Sequence, residues 1–262
     1  MILFNLKEKL DELLNINLAY DWDNVGLLIG ELDSNITSIT TALELCDDVI
    51  DDAIKKKSNM ILVHHPLIFS PIKKVVDIDD KQKMIIKLIK NNISLYVAHT
   101  NFDIIEGGLN DYILNLLDVC DIKPLTDDED INTIGRIATL QTPMLLEDFA
   151  LYIQEALDIK HSRIISKENK IIQNISIVTG AGFEYIQNAM EKSDVFITGD
   201  MKYHDAQDSF QKGDCIIDAG HFDTEKFFTY AMKNFLTERL EIDVHTSNSL
   251  QNPFKFVEDY YE

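Results

Sequence analysis

Six residues of this sequence have the chemical types and spacing for metal chemistry: His64 and His65, His99 and Asp103, and His221 and Glu225. Imidazole and carboxylate together form the donor set of a borderline transition-metal site, suited to zinc, manganese, iron or nickel. His221 and Glu225 are four apart, so on a helix that begins at once they share a face, about 5–6 Å apart at Cβ. Five or six donors exceed what one catalytic ion with an open position needs. A dinuclear site, with one carboxylate bridging, uses them all. Such ion pairs sit about 3.5–4 Å apart and activate water while clamping a phosphoryl or carbonyl oxygen. Taken singly, each histidine reads as an ordinary core or surface residue. What changes the reading is that four of the seven histidines stand at predicted carboxyl ends of strands.

Those strand ends come from the apolar pattern. Residues 60–63, MILV, form an unbroken apolar run, which predicts a strand buried on both faces, as in a parallel sheet flanked by helices. His64 and His65 follow directly and Pro66 stops the strand. In open α/β sheets ligands bind just beyond the carboxyl ends of the strands. Adjacent residues in an ideal strand point to opposite faces, but at a strand end running into a proline turn both rings can lean into one crevice. SLYVAH at 94–99 predicts another strand ending in a histidine, and CIIDA at 215–219 a third, followed by Gly220 and His221.

The remaining pattern is α/β throughout. Leu6, Leu10, Leu13 and Leu14 open the chain with helical spacing. Strands are predicted at 25–29 and 38–45, and helices at 49–57, 81–90 and 109–117. The acidic segment TDDEDIN at 126–132 marks the expected boundary between two halves, residues 1–125 and 126–262. The second half predicts strands at 133–140, 162–166, 175–179, 195–198 and 242–245, with helices at 145–157, 185–192, 205–211 and 224–240. VAHTNFD at 97–103 and DAGHFDTE at 218–225 share one grammar: strand, histidine, then an acid four residues later. The halves therefore read as a degenerate duplication, two like layers facing each other with the site between them.

Composition narrows the partners. Against 24 Lys plus Arg stand 45 Asp plus Glu, a net charge of -21 over 262 residues. Such a surface repels phosphodiester backbones and anionic membranes, which disfavours direct nucleic-acid binding, and solubility is its simplest role. A phosphorylated small molecule stays compatible where bound cations screen the local field. Cys46, Cys120 and Cys215 form no C-x-x-C pair, so buried, reduced thiols are expected. The N-terminus reads as an amphipathic helix rather than a signal peptide, and no apolar run approaches the ~20 residues that span a bilayer. A cytoplasmic protein is expected.

Weaker signals surround the main constellation. His161 and His245 lack acidic neighbours at the right spacing and read as ordinary. His204 lies just past a strand end, where contact with the site and simple solvation are both open. TGAGF at 179–183 could bring backbone N–H groups to a phosphate, but the dinucleotide fingerprint and the P-loop are absent, and a plain tight turn is the simpler reading.

With their neighbours, these residues resemble the NIF-three-like family, the GTP cyclohydrolase 1 type 2 homologues. The matching pieces are DNVGLLIG, VHHPLIF, AHTNFD with GGLND, TGAGF, TGDMKYHDA and GHFDTE, in family order from Asp23 to Glu225. The resemblance implies the NIF-three-like α/β fold: two intertwined repeats of an α-β-(βα)3 unit with mixed, mostly parallel sheets. It implies two divalent metal ions per chain, held by His64, His65, Asp103, His221 and Glu225, with His99 beside them. It also implies a homohexameric ring with sites facing an inner cavity. The link at 126–132 leaves no room for the ferredoxin-like domain that longer members carry, and Phe183 stands where small residues are more usual. The activity implied is a metal-dependent hydrolase opening a nucleotide-like small molecule such as GTP with formate release, His99 relaying protons as the catalytic residue. The residues themselves support water activation, which leaves open a phosphoesterase or a non-catalytic, ring-forming metal-binding or adaptor protein.

Overall fold

The computed structural model describes residues 1–126 and 134–256. In chain order its strands are β1 (Gly26–Ile29), β2 (Ser38–Ala42), β3 (Met60–Val63), β4 (Ser94–Val97), β5 (Val119–Pro124) and β6 (Arg136–Leu145). They continue with β7 (Arg163–Ile165), β8 (Ile171–Ile177), β9 (Val195–Thr198), β10 (Ile216–Asp218) and β11 (Asp243–Thr246). Two sheets result, ordered β1-β4-β3-β2-β11 and β5-β6-β8-β9-β10-β7.

Strands β2, β3 and β4 are parallel, with β1 antiparallel on the β4 edge. Strands β8, β9 and β10 are parallel in the same way, with β7 antiparallel on the β10 edge. The order β1-β4-β3-β2 thus recurs as β7-β10-β9-β8, the duplication that the paired histidine–acid segments predict. β11 leaves the second half and pairs parallel with β2. That return interlocks the two repeats. β6 extends the second sheet antiparallel to β8, and β5 pairs antiparallel with β6 at the edge.

The unbroken apolar runs have a direct cause. Met60 and Leu62 of β3 face a large core shared by both sheets, alongside Tyr96, Phe102, Phe149 and Phe228. Ile61 and Val63 face a second cluster formed with helices Asp47–Lys56 and Asp80–Lys90. β9 is covered likewise, Val195 and Ile197 by the shared core and Phe196 by a third cluster with Ala189 and Ile216. Each such side chain contributes ~1.5–3 kcal/mol on burial, so both faces of these strands are apolar except at Thr198, the last residue of β9, whose buried hydroxyl accepts from Gly182 N–H.

Several elements differ from expectation. The strand predicted at 94–99 ends at Val97, and a five-residue helix, Thr100–Ile104, follows His99. The helix predicted at 224–240 begins earlier, as His221–Glu225, and resumes as Phe228–Thr237 after two residues that keep right-handed helical dihedrals. β5 had no predicted counterpart, and most of the 126–132 link lies outside the described residues. The thiols correct the expectation of three buried groups: Cys215 is buried, Cys46 is intermediate and Cys120 is exposed. Among the described residues no helix is long and apolar enough to cross a membrane.

Candidate metal centre

The neighbouring histidines are held at the end of β3 by the residue that follows the parallel strand β2. The backbone N–H groups of His64 and His65 both donate to the Leu43 carbonyl, at 3.1 Å each. Their ring centroids lie 5.0 Å apart. His64 continues the inward alternation of Met60 and Leu62 and packs 4.7 Å from the Phe228 ring. His99 sits 5.0 Å from His64 and 5.5 Å from His65, and His221 sits 5.6 Å from His65. The structure brings together all six predicted residues.

Acids reach the cluster on the two short helices. Thr100–Ile104 carries Asp103, and Arg136 of β6 fastens its end by donating to the carbonyls of Ile104 and Ile105. Arg136 is itself buried and held bidentately by Asp111, at 2.7 and 3.0 Å. On the other side Gly220 takes φ +87, a left-handed turn open to glycine. His221 and Glu225 are then the first and last residues of their helix and share a face, with His221 Nε2 3.0 Å from Glu225 Oε2.

The four clustered imidazoles are all fixed through the same nitrogen. Nδ1 of His64 donates to the Ala98 carbonyl at 2.9 Å, and Nδ1 of His99 to Asp23 at 2.9 and 3.0 Å. Nδ1 of His65 meets Glu44 at 3.3 Å, and Nδ1 of His221 meets Asp200 at 2.8 Å. Each Nε2 is therefore left to serve the interior. A carboxylate or carbonyl behind the ring is how proteins fix the tautomer of metal-binding histidines.

The interior is short of partners in a telling way. Glu225 Oε2 lies 3.0 Å from both His65 Nε2 and His221 Nε2, and His64 Nε2 is 3.7 Å from Asp103 Oδ2 and from Glu225 Oε1. Yet, among the described residues, His64 Nε2 and Asp103 Oδ1 are buried with no hydrogen-bond partner, and Glu225 Oε2 has no aligned hydrogen bond although two ring nitrogens stand 3.0 Å away. Buried polar atoms nearly always find one. Three such atoms on neighbouring side chains are what a cation would satisfy. Two donor triplets can be drawn, His64 with His65 and His99, and His65 with His221 and Glu225, each with its donor atoms within 4.8 Å. The residues fit a cation.

Electrostatics show what that cation would replace. Burial pulls the His64 imidazole down to about 4, so it is neutral. Burial also acts against the charged forms of His65 and His221, but Glu225 beside them prevails and raises them to about 10 and about 9. Burial alone would raise Glu225; His221, His64 and His65 hold it well below the ordinary range. Asp103 goes the other way, raised by burial and then by the negative charge of Glu225. Asp23, despite its burial, is held at about 2 by His99 and Thr100.

Sequence reasoning missed the outer ring of Asp23, Glu44 and Asp200, and two glycines. A Cβ on Gly180 would fall 2.1 Å from Glu225 Oε1, and one on Gly199 would fall 2.5 Å from the His221 nitrogen. Gly180 of TGAGF and Gly199 of TGD therefore make room for the ligating helix. The TGAGF amides are already engaged: Thr179 N–H donates to Asn110 Oδ1, Gly180 N–H to Thr224 Oγ1 and Gly182 N–H to Thr198 Oγ1. A tight turn accounts for the segment. His204 is exposed against the Tyr203 ring, and His161 packs 4.0 Å from Phe256, so neither joins the cluster.

Comparison with known proteins places this arrangement. The sequence model of Duf34/NIF3 (NGG1p interacting factor 3) matches residues 1–253. A Clostridium acetobutylicum protein named GTP cyclohydrolase 1 type 2 homolog is 37% identical over 214 residues, 80% of each chain. Its namesake in Clostridium perfringens is 34% identical over 264 residues, covering 95% of this chain and 100% of its own. A crystal structure of a Staphylococcus aureus protein superposes with a TM-score of 0.88 at 30% identity, covering 98% of this chain and 99% of its own. By family model, by sequence and by fold, the chain belongs to the Duf34/NIF3 family.

Proposed function

We propose that this protein holds two divalent metal ions per chain and acts as a metal-dependent hydrolase on a nucleotide-like small molecule. The observation that carries the reading is the pair of buried atoms without a partner among the described residues, His64 Nε2 and Asp103 Oδ1, around the shared Glu225 carboxylate and inside a ring of four imidazoles each fixed through Nδ1. His64, His65, Asp103, His221 and Glu225 are the ligands in this reading, with Glu225 central to both repeats. When bound, the ions supply Lewis-acid polarisation of a substrate oxygen and a lowered water pKa.

The chain's own residues do the rest. His99 has its Nδ1–H committed to Asp23, which leaves Nε2 as the site that takes and returns a proton. The apolar shared core behind His64 keeps bulk water from that side. The names of the clostridial relatives support GTP as the first substrate to try, opened at its imidazole ring with loss of formate. The two repeats, 1–125 and 126–262, each contribute ligands. Exposed Ile72, Val75, Val76 and Ile78 support self-association, for which a hexameric ring is the assembly proposed. A cytoplasmic location fits the acidic surface and the three unpaired cysteines.

The test is metal analysis followed by product analysis. Purified protein should carry two divalent ions per chain, and His64→Ala should lose metal. Incubation with GTP should release formate in the wild type and not in the variant. Phosphate without formate would identify a phosphoesterase. Neither product from fully loaded protein, across a nucleotide panel, would reject the hydrolase and leave a metal-carrying role.

A further inference from the structure

Beside the imidazole cluster stands a group of aromatic rings that the metal site does not use. Trp22 is 56% exposed and lies edge-on to His99, with centroids 6.2 Å apart. Tyr20 flanks it at 5.7 Å and Phe69, 52% exposed, at 6.0 Å. The large aromatic side chains of the shared core, Phe102, Phe149 and Phe228, are fully buried, whereas Trp22 and Phe69 are offered to solvent and Tyr20 is half-buried beside them.

The group is held in place by the same contacts that orient His99. Asp23, next to Trp22, accepts from His99, from the Thr100 N–H and from the Thr100 hydroxyl. Tyr20 N–H donates to Thr100 Oγ1, and Asn24 Nδ2 donates to the Ile68 carbonyl, tying the Trp22 segment to the Phe69 segment. An exposed aromatic surface that is rigid beforehand loses little entropy when a ligand covers it.

We propose that Trp22, flanked by Tyr20 and Phe69, is a stacking face for the planar heteroaromatic ring of the substrate. This rests on reading the imidazole cluster as a reaction centre for a small molecule. A ring held at Trp22 adjoins the cluster through His99, which is 6.2 Å from Trp22, 5.0 Å from His64 and 5.5 Å from His65. The stacked ring is thus held next to the imidazole cluster that would open it, with His99 as the histidine against Trp22. Trp22 is a positioning residue: it selects the substrate class and leaves the chemistry to the cluster.

The chain contains one tryptophan, so its fluorescence reports on Trp22 alone. Metal-loaded, full-length protein titrated with guanosine should show saturable quenching, while ribose 5-phosphate, which has no ring, should not quench. Trp22→Ala should weaken guanosine binding in equilibrium dialysis about 5- to 150-fold, the range for loss of one base–aromatic stack. Trp22→Phe should restore most of it, and both variants should keep the wild-type metal content. With a turned-over substrate the loss in Trp22→Ala should fall on KM rather than kcat. No quenching, or equal quenching by ribose 5-phosphate, would overturn the proposal. So would a Trp22 shielded from acrylamide in the assembled protein, which would mean that a second copy covers it. Absence of metal from the wild type would instead sink the reading of the site, whatever Trp22 does.

Discussion

The two repeats share one strand order but equip their strand ends differently. In the first, β3 ends in His64 and His65, and β4 leads into His99 and Asp103. In the second, β9, which matches β3, ends in Gly199 and Asp200, while β10 leads into His221 and Glu225. The first repeat is rich in donors. The second spends its β8 and β9 ends on glycines, because a Cβ on Gly180 or Gly199 would strike Glu225 or the His221 backbone. The orienting acids differ too: Asp23 behind His99 has no exposed side-chain surface, whereas Asp200 behind His221 is 54% exposed. One scaffold, used twice, thus yields a donor-rich wall and a wall that lets one carboxylate reach His64, His65 and His221.

If Glu225 is the point where both walls meet, Glu225→Gln should cause the largest loss. Metal affinity should fall by more than ~100-fold, beyond the range seen when an outer hydrogen-bond partner is removed, and both ions should be missing by elemental analysis. Retention of two ions would break the comparison. A second large effect is pH. His65 and His221, raised to about 10 and about 9, each hold a proton in the metal-free protein at neutral pH, and metal entry must expel both. Loading should therefore tighten as pH rises from about 6.5 to 9, by up to ~100-fold per unit, and fade as pH falls. Chelator-competition titrations across that range would measure the slope; a flat response would contradict it.

The glycine wall predicts a smaller loss. Gly180→Ala combines a left-handed backbone, φ +67, with a clash at Glu225, so it should weaken metal loading about 10- to 100-fold. Gly26→Ala is the control, since Gly26 has φ +90 but nothing within 4 Å of its Cβ. It should lower the melting temperature and leave the metal content intact. Smallest of all is the contrast between the orienting acids. Asp23→Asn should cost about 10- to 100-fold in turnover, and Asp200→Asn only a few-fold, because solvent screens an exposed partner.

How much of this was legible depends on the range of the interactions. β3 and β9 were predicted to the residue because their apolar runs are covered on both faces and bounded by polar residues. Thr100–Ile104 was invisible: five residues give no helical periodicity. β5 was missed because it lies at a sheet edge, with half-exposed residues and a proline at its end. The six inner residues could be found because strand-end histidines are few. Asp23, Glu44 and Asp200 could not, since the chain offers 45 acids and the choice among them is made by pairings such as His99 with Asp23, 76 residues apart. Gly180 looked like a phosphate loop or a turn until the Glu225 carboxylate stood against it.

The most direct test of the account is anomalous diffraction from crystals grown with manganese or zinc. It should show two peaks per chain about 3.5–4 Å apart, with Glu225 touching both and His64, His65, Asp103 and His221 completing the shells. Full occupancy by a single ion, or density with no metal between the imidazoles and the two carboxylates, would contradict it.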